Sequence, residues 1–305
     1  MTGELPLLGF GLPVSGDWAT PDTMRRIARR AETLGYASLW TFQRVLCPVD
    51  GEVDASHRAV HDAIVPLAYV AAHTDRIGLG TATVCAPFTA PTLLAKTLAS
   101  LDILSGGRLT VGLGMGWLAQ EYVAAGVPFE RRGARMEEYL RCLKRVWTQD
   151  PVEFAGEFYT VPRAHVGPPP VQRPHPPVLL GGAVAPALRR AGRLAEGWIG
   201  SSRHDLTRIG AYVDAVRDGA REAGRDPRSL RIVVRGLVDL VDDEPSGRRR
   251  PLRGTREQVL DDLVALRGQG VTEVFFDVNL SRDLDAAARL AYAERVLEMF
   301  APANR

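Results

Sequence analysis

The 305-residue chain has little cysteine and little net charge, and each shortage excludes a class of protein. Its three cysteines, Cys47, Cys85 and Cys142, form no CxxC pair, which argues against a zinc ribbon or a disulfide framework and suits a reducing compartment. A formal net charge of +2 argues against a nucleic-acid partner. The chain shows neither a signal peptide nor an apolar run of about 18 residues, so we expect a cytoplasmic protein without a membrane partner.

Common metal-binding and nucleophilic motifs are also missing. The chain has no HExxH and no GxSxG sequence. His57 and His61 have the spacing of two ligands on one helix face, but they precede the helix that we predict from Asp62, so we expect no metal site. With neither a metal nor an evident nucleophile–base pair, an organic cofactor has to supply the chemistry.

What the sequence does have is a regular alternation of short apolar segments with amphipathic helical segments. The eight predicted strands are Leu7–Leu12, Ser38–Trp40, Ile77–Thr83, Leu109–Leu113, Val178–Leu180, Trp198–Gly200, Arg231–Leu240 and Glu273–Asn279. Eight such units predict an α/β fold of the (β/α)8 TIM-barrel type, in a single domain over residues 1–305. A doubly wound open sheet is the alternative, and the absence of GxGxxG after the first strand argues against it.

Helix signals stand between these segments. Thr20 and Pro21 suit the start of a first helix, and Gly35 suits its end. Thr255 and Gln258 have the spacing of a capping box. Further helices are predicted around Leu188 and Tyr212 and over Asp62–His73, Pro91–Leu104, Arg131–Thr148 and Asp283–Phe300.

A barrel of this type needs about 250 residues, so the remainder must lie in insertions. The candidates are Arg44–Arg58, Glu153–Pro177 and Asp242–Arg253, which we expect at the carboxyl-terminal face. The insertion Glu153–Pro177 contains many prolines, which exclude a helix or a central strand. It is therefore predicted as a surface excursion. The run Arg248–Arg250 in the third is predicted as a solvated loop rather than an anion site.

Three glycine-containing stretches end predicted strands, where the chemistry of a barrel lies. Gly78–Val84 allows either a flat ligand or tight packing in the barrel interior. Gly112–Trp117 has glycine at every second position, which leaves one strand face free either for a planar ring or for a bulge. Gly181–Ala183 precedes a helix, so it forms either a phosphate site or an ordinary turn.

These stretches resemble the bacterial luciferase-like monooxygenase superfamily, over roughly residues 7–300. The matching segments are Asp75–Thr81, Leu101–Leu109, Val111–Trp117, Leu179–Gly182, Leu188–Ala191, Gly197–Trp198 and Gly254–Thr255. The most specific is the Leu-Ser-Gly-Gly-Arg block with the glycine alternation after it. The sequence is similar to the branch of this superfamily that depends on coenzyme F-420, a 5-deazaflavin.

The resemblance implies a flavin or 5-deazaflavin ring at the carboxyl-terminal face of a luciferase-like barrel. It implies a non-proline cis peptide bond at Ala82–Thr83 or Thr83–Val84. It also implies a cofactor phosphate at the turn after the fifth strand and side-chain amides against the ring. The cofactor-binding residues expected on this basis are Gln43, Ala82, Thr83, Gly114, Gln120, Gly181, Gly182 and Ala183.

The sequence departs from the family at three positions that bear on the reaction. Met115 stands where flavin-using members often carry an arginine for the FMN phosphate, which favours F-420 over the alternative cofactor, FMN. Gln43-Arg44 replaces an acidic residue–histidine pair, so Arg44, His57 and His61 become the candidates for holding or protonating the substrate. The alternative for Arg44 is that its side chain points to solvent.

The expected function is hydride transfer between F-420 and a small organic substrate. An FMN-dependent luciferase-like monooxygenase is one alternative, and a barrel relative that has lost catalysis is another. Retention of the three glycine stretches argues against the loss of the cofactor. We also expect a homodimer.

Overall fold

Eight parallel strands close into a ring in the computed structural model, which describes residues 4–50, 55–243, 249–280 and 284–302. These strands are β1 (Leu7–Gly11), β2 (Ser38–Thr41), β3 (Gly78–Thr81), β4 (Leu109–Gly114), β5 (Val178–Gly181), β6 (Gly197–Gly200), β7 (Arg231–Leu237) and β8 (Glu273–Asp277). Each strand pairs with its neighbour in sequence, and β1 pairs with β8 to close the ring. The predicted (β/α)8 TIM barrel is confirmed.

Helices lie between the strands, close to where the sequence predicts them. They are α1 (Pro21–Thr33), α2 (Val65–Ala71), α3 (Pro91–Leu104), α4 (Ala119–Ala124), α5 (Arg132–Thr148), α6 (Ala185–Leu194), α7 (Ile209–Glu222), α8 (Arg256–Gly268) and α9 (Ala286–Met299). Thr20 caps α1, and the capping box of Thr255 and Gln258 begins α8. Within the described ranges, no helix is both long and apolar enough to cross a membrane.

The α2 and α9 helices each begin three residues later than predicted, and α4 was not predicted. The α2 helix is shorter than Asp62–His73, because the Asp62 carboxylate accepts the N–H groups of Ile64 and Val65 in a turn ahead of it. The closing helix begins at Ala286, since Asp285 is its N-cap; the predicted start, Asp283, lies outside the described residues.

The proline-rich insertion is a surface excursion, as predicted. It opens with an antiparallel hairpin of Val152–Ala155 and Thr160–Ala164. The buried Glu138 carboxylate on α5 accepts N–H groups of the hairpin turn, including that of Phe158 at 2.7 Å. This insertion is therefore anchored to the helix layer and stays outside the barrel sheet.

The prediction of a solvated loop at Arg248–Arg250 is wrong for Arg249. Arg249 forms an ion pair with Asp262 on α8, with an N–O distance of 2.5 Å. The same carboxylate accepts the N–H of Leu252 at 2.7 Å, so it holds both the loop and its arginine against the barrel. Arg248 lies outside the described residues.

Large side chains from the second half of the barrel fill its interior around Trp40. The Trp40 indole stacks on Phe275 at 5.4 Å and donates its N–H to Glu273 at 2.9 Å. A Cβ at Gly80 would overlap the Trp40 ring, with 2.8 Å to Cδ2. Of the two alternatives for Gly78–Val84, tight packing is therefore the one found at Gly80.

Replacing Gly80 by alanine is expected to destabilise the fold by about 1–3 kcal/mol, because the hydrogen-bonded indole cannot withdraw. Chemical unfolding of Gly80→Ala against the wild type measures this change. Gly268→Ala on α8 is the control, since a Cβ there meets no atom within 4 Å and alanine suits a helix. Equal stability of the two variants would contradict the packing role of Gly80.

Candidate functional site

A bulge after β3 forms one wall of the barrel mouth. The Ala82–Thr83 peptide bond is cis, which is one of the two positions that the resemblance implied. The chain then resumes as a short strand, Val84–Cys85, which pairs with Leu113 and Gly114 at the end of β4. The bulge thus lies against the glycine alternation of the neighbouring strand.

Backbone of the bulge fills the side-chain-free face of β4. A Cβ at Gly112 would overlap the carbonyl oxygen of Thr81. Thr81 Oγ1 donates to the Gly112 carbonyl at 2.8 Å and accepts the Gly112 N–H at 2.9 Å. The missing side chain at Gly112 therefore permits close packing of β4 against the end of β3. Whether Gly114, Ala82 and Thr83 contact a cofactor stays a prediction.

Gln43 and Arg44 follow β2 and face this wall. The Gln43 side-chain oxygen accepts the N–H of Cys85 at 2.7 Å. The Arg44 side chain is 8% exposed, and its Nη1 lies 3.0 Å from Oε2 of Glu121, which is 2% exposed. The alternative in which Arg44 points to solvent is therefore wrong. Burial raises the pKa of the neighbouring Cys85 thiol to about 12, so this cysteine is a neutral packing group rather than a nucleophile.

The Arg44 guanidinium keeps unused hydrogen-bond donors although it is buried. Among the described residues its Nε has no acceptor, and Nη1 is close to Glu121 without the alignment of a hydrogen bond. The guanidinium also lies over the ring of Trp117, 5.0 Å from its centre. Unsatisfied buried donors are costly, so this group is suited to a ligand oxygen at the mouth.

The other sequence-predicted side chains are less directly placed. Gln120 is exposed in the first turn of α4, whereas Glu121 beside it is buried. The His57 ring lies edge-on to the Phe42 ring, with 6.0 Å between the ring centres. This places His57 near the carboxyl end of β2, where Arg44 follows. His61 is exposed, and its Nε2 lies 2.9 Å from the carbonyl of Ala19. The proposed substrate contacts of these residues stay predictions.

Sequence reasoning missed a buried ion pair between Arg235 at the end of β7 and Asp277 at the end of β8. Asp277 Oδ1 also accepts from the backbone and side-chain nitrogens of Asn279, at 2.8 and 2.9 Å. The Arg235 guanidinium lies 4.4 Å from the ring centre of Phe42. A charged residue near the carboxyl end of each apolar strand was the available signal.

The turn Gly181–Ala183 leads into an uncapped helix. No side chain caps α6, and Ala183 and the first α6 residues are exposed. The Gly182 carbonyl accepts the indole N–H of Trp198 at 2.9 Å. Gly182 has a φ of 145°, and a Cβ there would lie 2.5 Å from that of Ala187. This exposed helix start suits an anion, and Gly182 is also needed for the turn itself.

His204, which sequence reasoning did not single out for the site, lies beside this turn. Burial lowers its pKa, and the carbonyls of Ser201 and Gly182 oppose that effect. Its Nδ1 accepts the N–H of Ser201 at 3.0 Å, while the buried Nε2 has no well-aligned partner among the described residues. Within the described ranges, no three His, Cys, Asp or Glu side chains form a group that could hold a metal ion.

A (β/α)8 barrel with a bulged third strand and polar groups at the carboxyl ends of its strands defines the class of this protein. Residues 8–251 match the family model described as luciferase-like monooxygenase. The chain belongs to the luciferase-like monooxygenase family.

Similar proteins include members with and without an assigned reaction. An uncharacterized protein of Mycobacterium tuberculosis is 35% identical over 285 residues, which cover 88% of this chain and 90% of that protein. An FMNH2-dependent dimethylsulfone monooxygenase of Pseudomonas putida is 32% identical over 230 residues, or 74% of this chain and 60% of that protein.

Solved structures share the fold at lower identity. The monooxygenase RslO1 from Streptomyces bottropensis has a TM-score of 0.82 at 24% identity, covering 98% of this chain and 99% of its own. The coenzyme F420-dependent tetrahydromethanopterin reductase from Methanopyrus kandleri has a TM-score of 0.76 at 19% identity, covering 97% and 100%. A relative of this chain is thus named as FMNH2-dependent, and a protein with the same fold is named as coenzyme F420-dependent.

Breaking the Arg44–Glu121 pair is expected to destabilise the fold by about 3–5 kcal/mol, because either single change leaves a buried charge without its partner. Arg44→Met and Glu121→Gln are the single variants, and chemical unfolding is the measurement. The double variant should cost less than the sum of the two.

An exposed ion pair supplies the control for this double-mutant cycle. Arg131 and Glu157 form an ion pair whose side chains are 58% and 56% exposed. Arg131→Met should change stability by less than about 1 kcal/mol. An Arg44→Met effect as small as this one would mean that the buried pair is not held as described.

The lowered pKa of His204 predicts a loss of stability in acid. Because the unfolded chain takes up the proton near pH 6.5 and the folded chain resists it, stability falls as the pH drops below that value, down to the folded-state pKa. His204→Gln, which keeps an acceptor for Ser201, should remove this part of the acid sensitivity. Unfolding free energies between pH 5 and 8 measure it, and parallel curves would contradict it.

Proposed function

We propose that the protein is an F-420-dependent oxidoreductase that transfers a hydride between the deazaflavin and a small organic substrate. The observation that carries this proposal is where the mouth offers hydrogen-bond donors for a cofactor phosphate. The Met115 side chain packs against the apolar core and offers no donor, whereas the exposed start of α6 offers backbone N–H groups. This arrangement suits a cofactor whose phosphate lies at Gly181–Ala183.

The residues at the mouth fit a flat, polar ring system. A bound 5-deazaflavin supplies hydride transfer at C5 of its ring. The Gln43 side-chain oxygen is held by the Cys85 N–H, which fixes the amide, and its nitrogen is a donor that suits a ring carbonyl. Trp117, which is 46% exposed, offers aromatic surface on which a planar group or its substrate can pack.

Arg44 is the candidate for orienting the substrate. Its guanidinium is permanently charged, and its Nε donor is unused. A carbonyl, carboxylate or enolate oxygen placed there would satisfy that donor and fix the reacting carbon beside the ring. Because an arginine does not release its proton readily, His57 is the nearer candidate for proton transfer in the same part of the mouth.

The second candidate function is an FMN-dependent monooxygenase. The relationship to the Pseudomonas putida enzyme favours it, because that protein is named as FMNH2-dependent. The two candidates differ in the cofactor that the protein selects, so cofactor binding separates them before any substrate is known.

Titration of the purified protein with F-420 and with FMN, followed by fluorescence quenching, tests the proposal. F-420 is expected to bind at least tenfold more tightly, or by about 1.4 kcal/mol, because Met115 gives the FMN phosphate no side-chain donor. Tighter binding of FMN would favour the monooxygenase, and binding of neither would favour a non-catalytic barrel.

A charge placed at the start of α6 tests where the phosphate lies. Ala183→Asp should weaken F-420 binding at least tenfold, because the carboxylate meets the phosphate at the helix N-terminus. Gly182 is unsuitable for this test, since any side chain there also overlaps Ala187. Ala287→Asp in the exposed first turn of α9 is the matched control and should leave binding unchanged. Equal binding by both variants would put the phosphate elsewhere.

A further inference from the structure

A cavity of 670 Å³ opens at the carboxyl-terminal face beside the candidate cofactor turn. It lies over the ends of β6 and β7 and is bounded by the loop that precedes α8. Its polar lining includes Arg203, His204, Thr207, Arg235, Arg250 and Arg253. This volume is large enough for a small ligand or for one end of a larger one.

Positive charge dominates the lining. Among the described residues that line the cavity, five are arginines and Asp205 is the one acid. The Asp205 carboxylate is already engaged, because it accepts the backbone N–H and the hydroxyl of Thr207 at 3.0 and 2.7 Å. Two of the arginines have buried or half-buried acidic partners: Arg235 pairs with Asp277, and Arg249 pairs with Asp262.

The other three arginines have no carboxylate partner within the described part of the chain. They are Arg203, Arg250 and Arg253. Elsewhere on this surface arginines commonly pair with an acid, as Arg131 does with Glu157 and Arg295 with Asp242. Three uncompensated guanidinium groups around one concave space repel one another unless an anion lies between them.

Polar geometry at the inner end of the cavity also indicates a ligand. Among the described residues, the buried Nε2 atom of His204 has no partner with good hydrogen-bond geometry, although the Gly182 carbonyl lies near the ring. Nδ1 lies 3.0 Å from the backbone nitrogen of Ser201 and 3.1 Å from its carbonyl oxygen; in the tautomer in which Nδ1 accepts the Ser201 N–H, Nε2 carries the proton and is a donor. The Arg203 guanidinium lies 4.1 Å from the ring centre of Trp117, which extends the basic surface toward the mouth near Arg44.

We propose that this cavity binds a phosphate or carboxylate group of a ligand whose reactive part lies at the barrel mouth. Arg203, Arg250 and Arg253 supply the charge, because guanidinium groups match such oxyanions with paired donors. The site is distinct from the turn Gly181–Ala183. The anion belongs either to a substrate or to the carboxylate tail of F-420. Because a substrate alone can supply it, the site does not depend on F-420 being the cofactor.

Calorimetric titration of the cofactor-free protein with pyrophosphate and with citrate tests the site directly. The wild type is expected to bind at least one of them with a Kd of about 1 mM or tighter, and binding should weaken with added salt. Arg250→Gln/Arg253→Gln should weaken it at least tenfold. Arg141→Gln/Arg163→Gln, two exposed arginines outside the cavity, makes the same change in net charge and should leave the Kd within twofold.

Two results would overturn the proposal: no binding of either anion by the wild type, or an equal loss in the control variant. Titration with F-420 and with the deazaflavin riboside that lacks phosphate and tail identifies the source of the anion. If Arg250→Gln/Arg253→Gln weakens the binding of F-420 but not that of the riboside, the cavity holds the cofactor tail. If the binding of both compounds is unchanged, the cavity holds a substrate anion. Anion binding without F-420 binding would reject the proposed function and retain this site.

Discussion

Contact between the bulge after β3 and the glycine face of β4 determines the geometry of the whole barrel mouth. Thr81 and Gly112 exchange two hydrogen bonds across this contact, and only a residue without a side chain allows the approach. The bulge sets where the short strand Val84–Cys85 begins. The Cys85 N–H then holds Gln43, and Gln43 fixes the chain direction from which Arg44 enters the mouth. A backbone contact between two strands thereby orients side chains on a third.

Charge pairing is the second constraint, and it produces groups that are fixed before a ligand arrives. Arg44 and Arg235 are each buried beside a buried carboxylate, Glu121 and Asp277 respectively. A buried cation is tolerated only with such a partner, and each guanidinium also packs on an aromatic ring. Donors held in this way lose little conformational entropy when they bind a ligand, which is the condition for precise orientation of a substrate.

The parts of the fold that depend on local pattern could be predicted from the sequence. Strand alternation, the capping box at Thr255 and the exclusion of proline from the barrel sheet all rest on neighbouring residues. Family resemblance limited the cis bond to Ala82–Thr83 or Thr83–Val84, and the structure has it at the first. Glu121 could not be oriented, because α4 has six residues and no capping signal, so its helical phase was not visible. Gln120 was named from the family resemblance, and its contact with a cofactor stays a prediction.

Long-range assembly explains the remaining omissions. Arg203 and Arg250 follow different strands, and only the closed barrel brings them to one cavity. The solvated-loop interpretation failed because Asp262, on the following helix, draws Arg249 and its loop inward. Sequence spacing carries no information about such a contact, since the loop conformation decides it. The same loop therefore turns a local charge run into part of a concave surface.

Charge is distributed unevenly around the mouth, and this distribution bears on how a ligand would lie. Over β2 to β4, Arg44 is balanced by Glu121, and aromatic surface is exposed at Trp117. Over β5 to β7, the start of α6 and the uncompensated arginines both attract anions. A molecule with anionic groups at one end and a flat reactive part at the other matches this gradient in one orientation only, because reversing it would put anions beside Glu121. Long-range attraction acts before contact is made, so the β5 to β7 side would align such a ligand while its reactive end is still approaching Arg44.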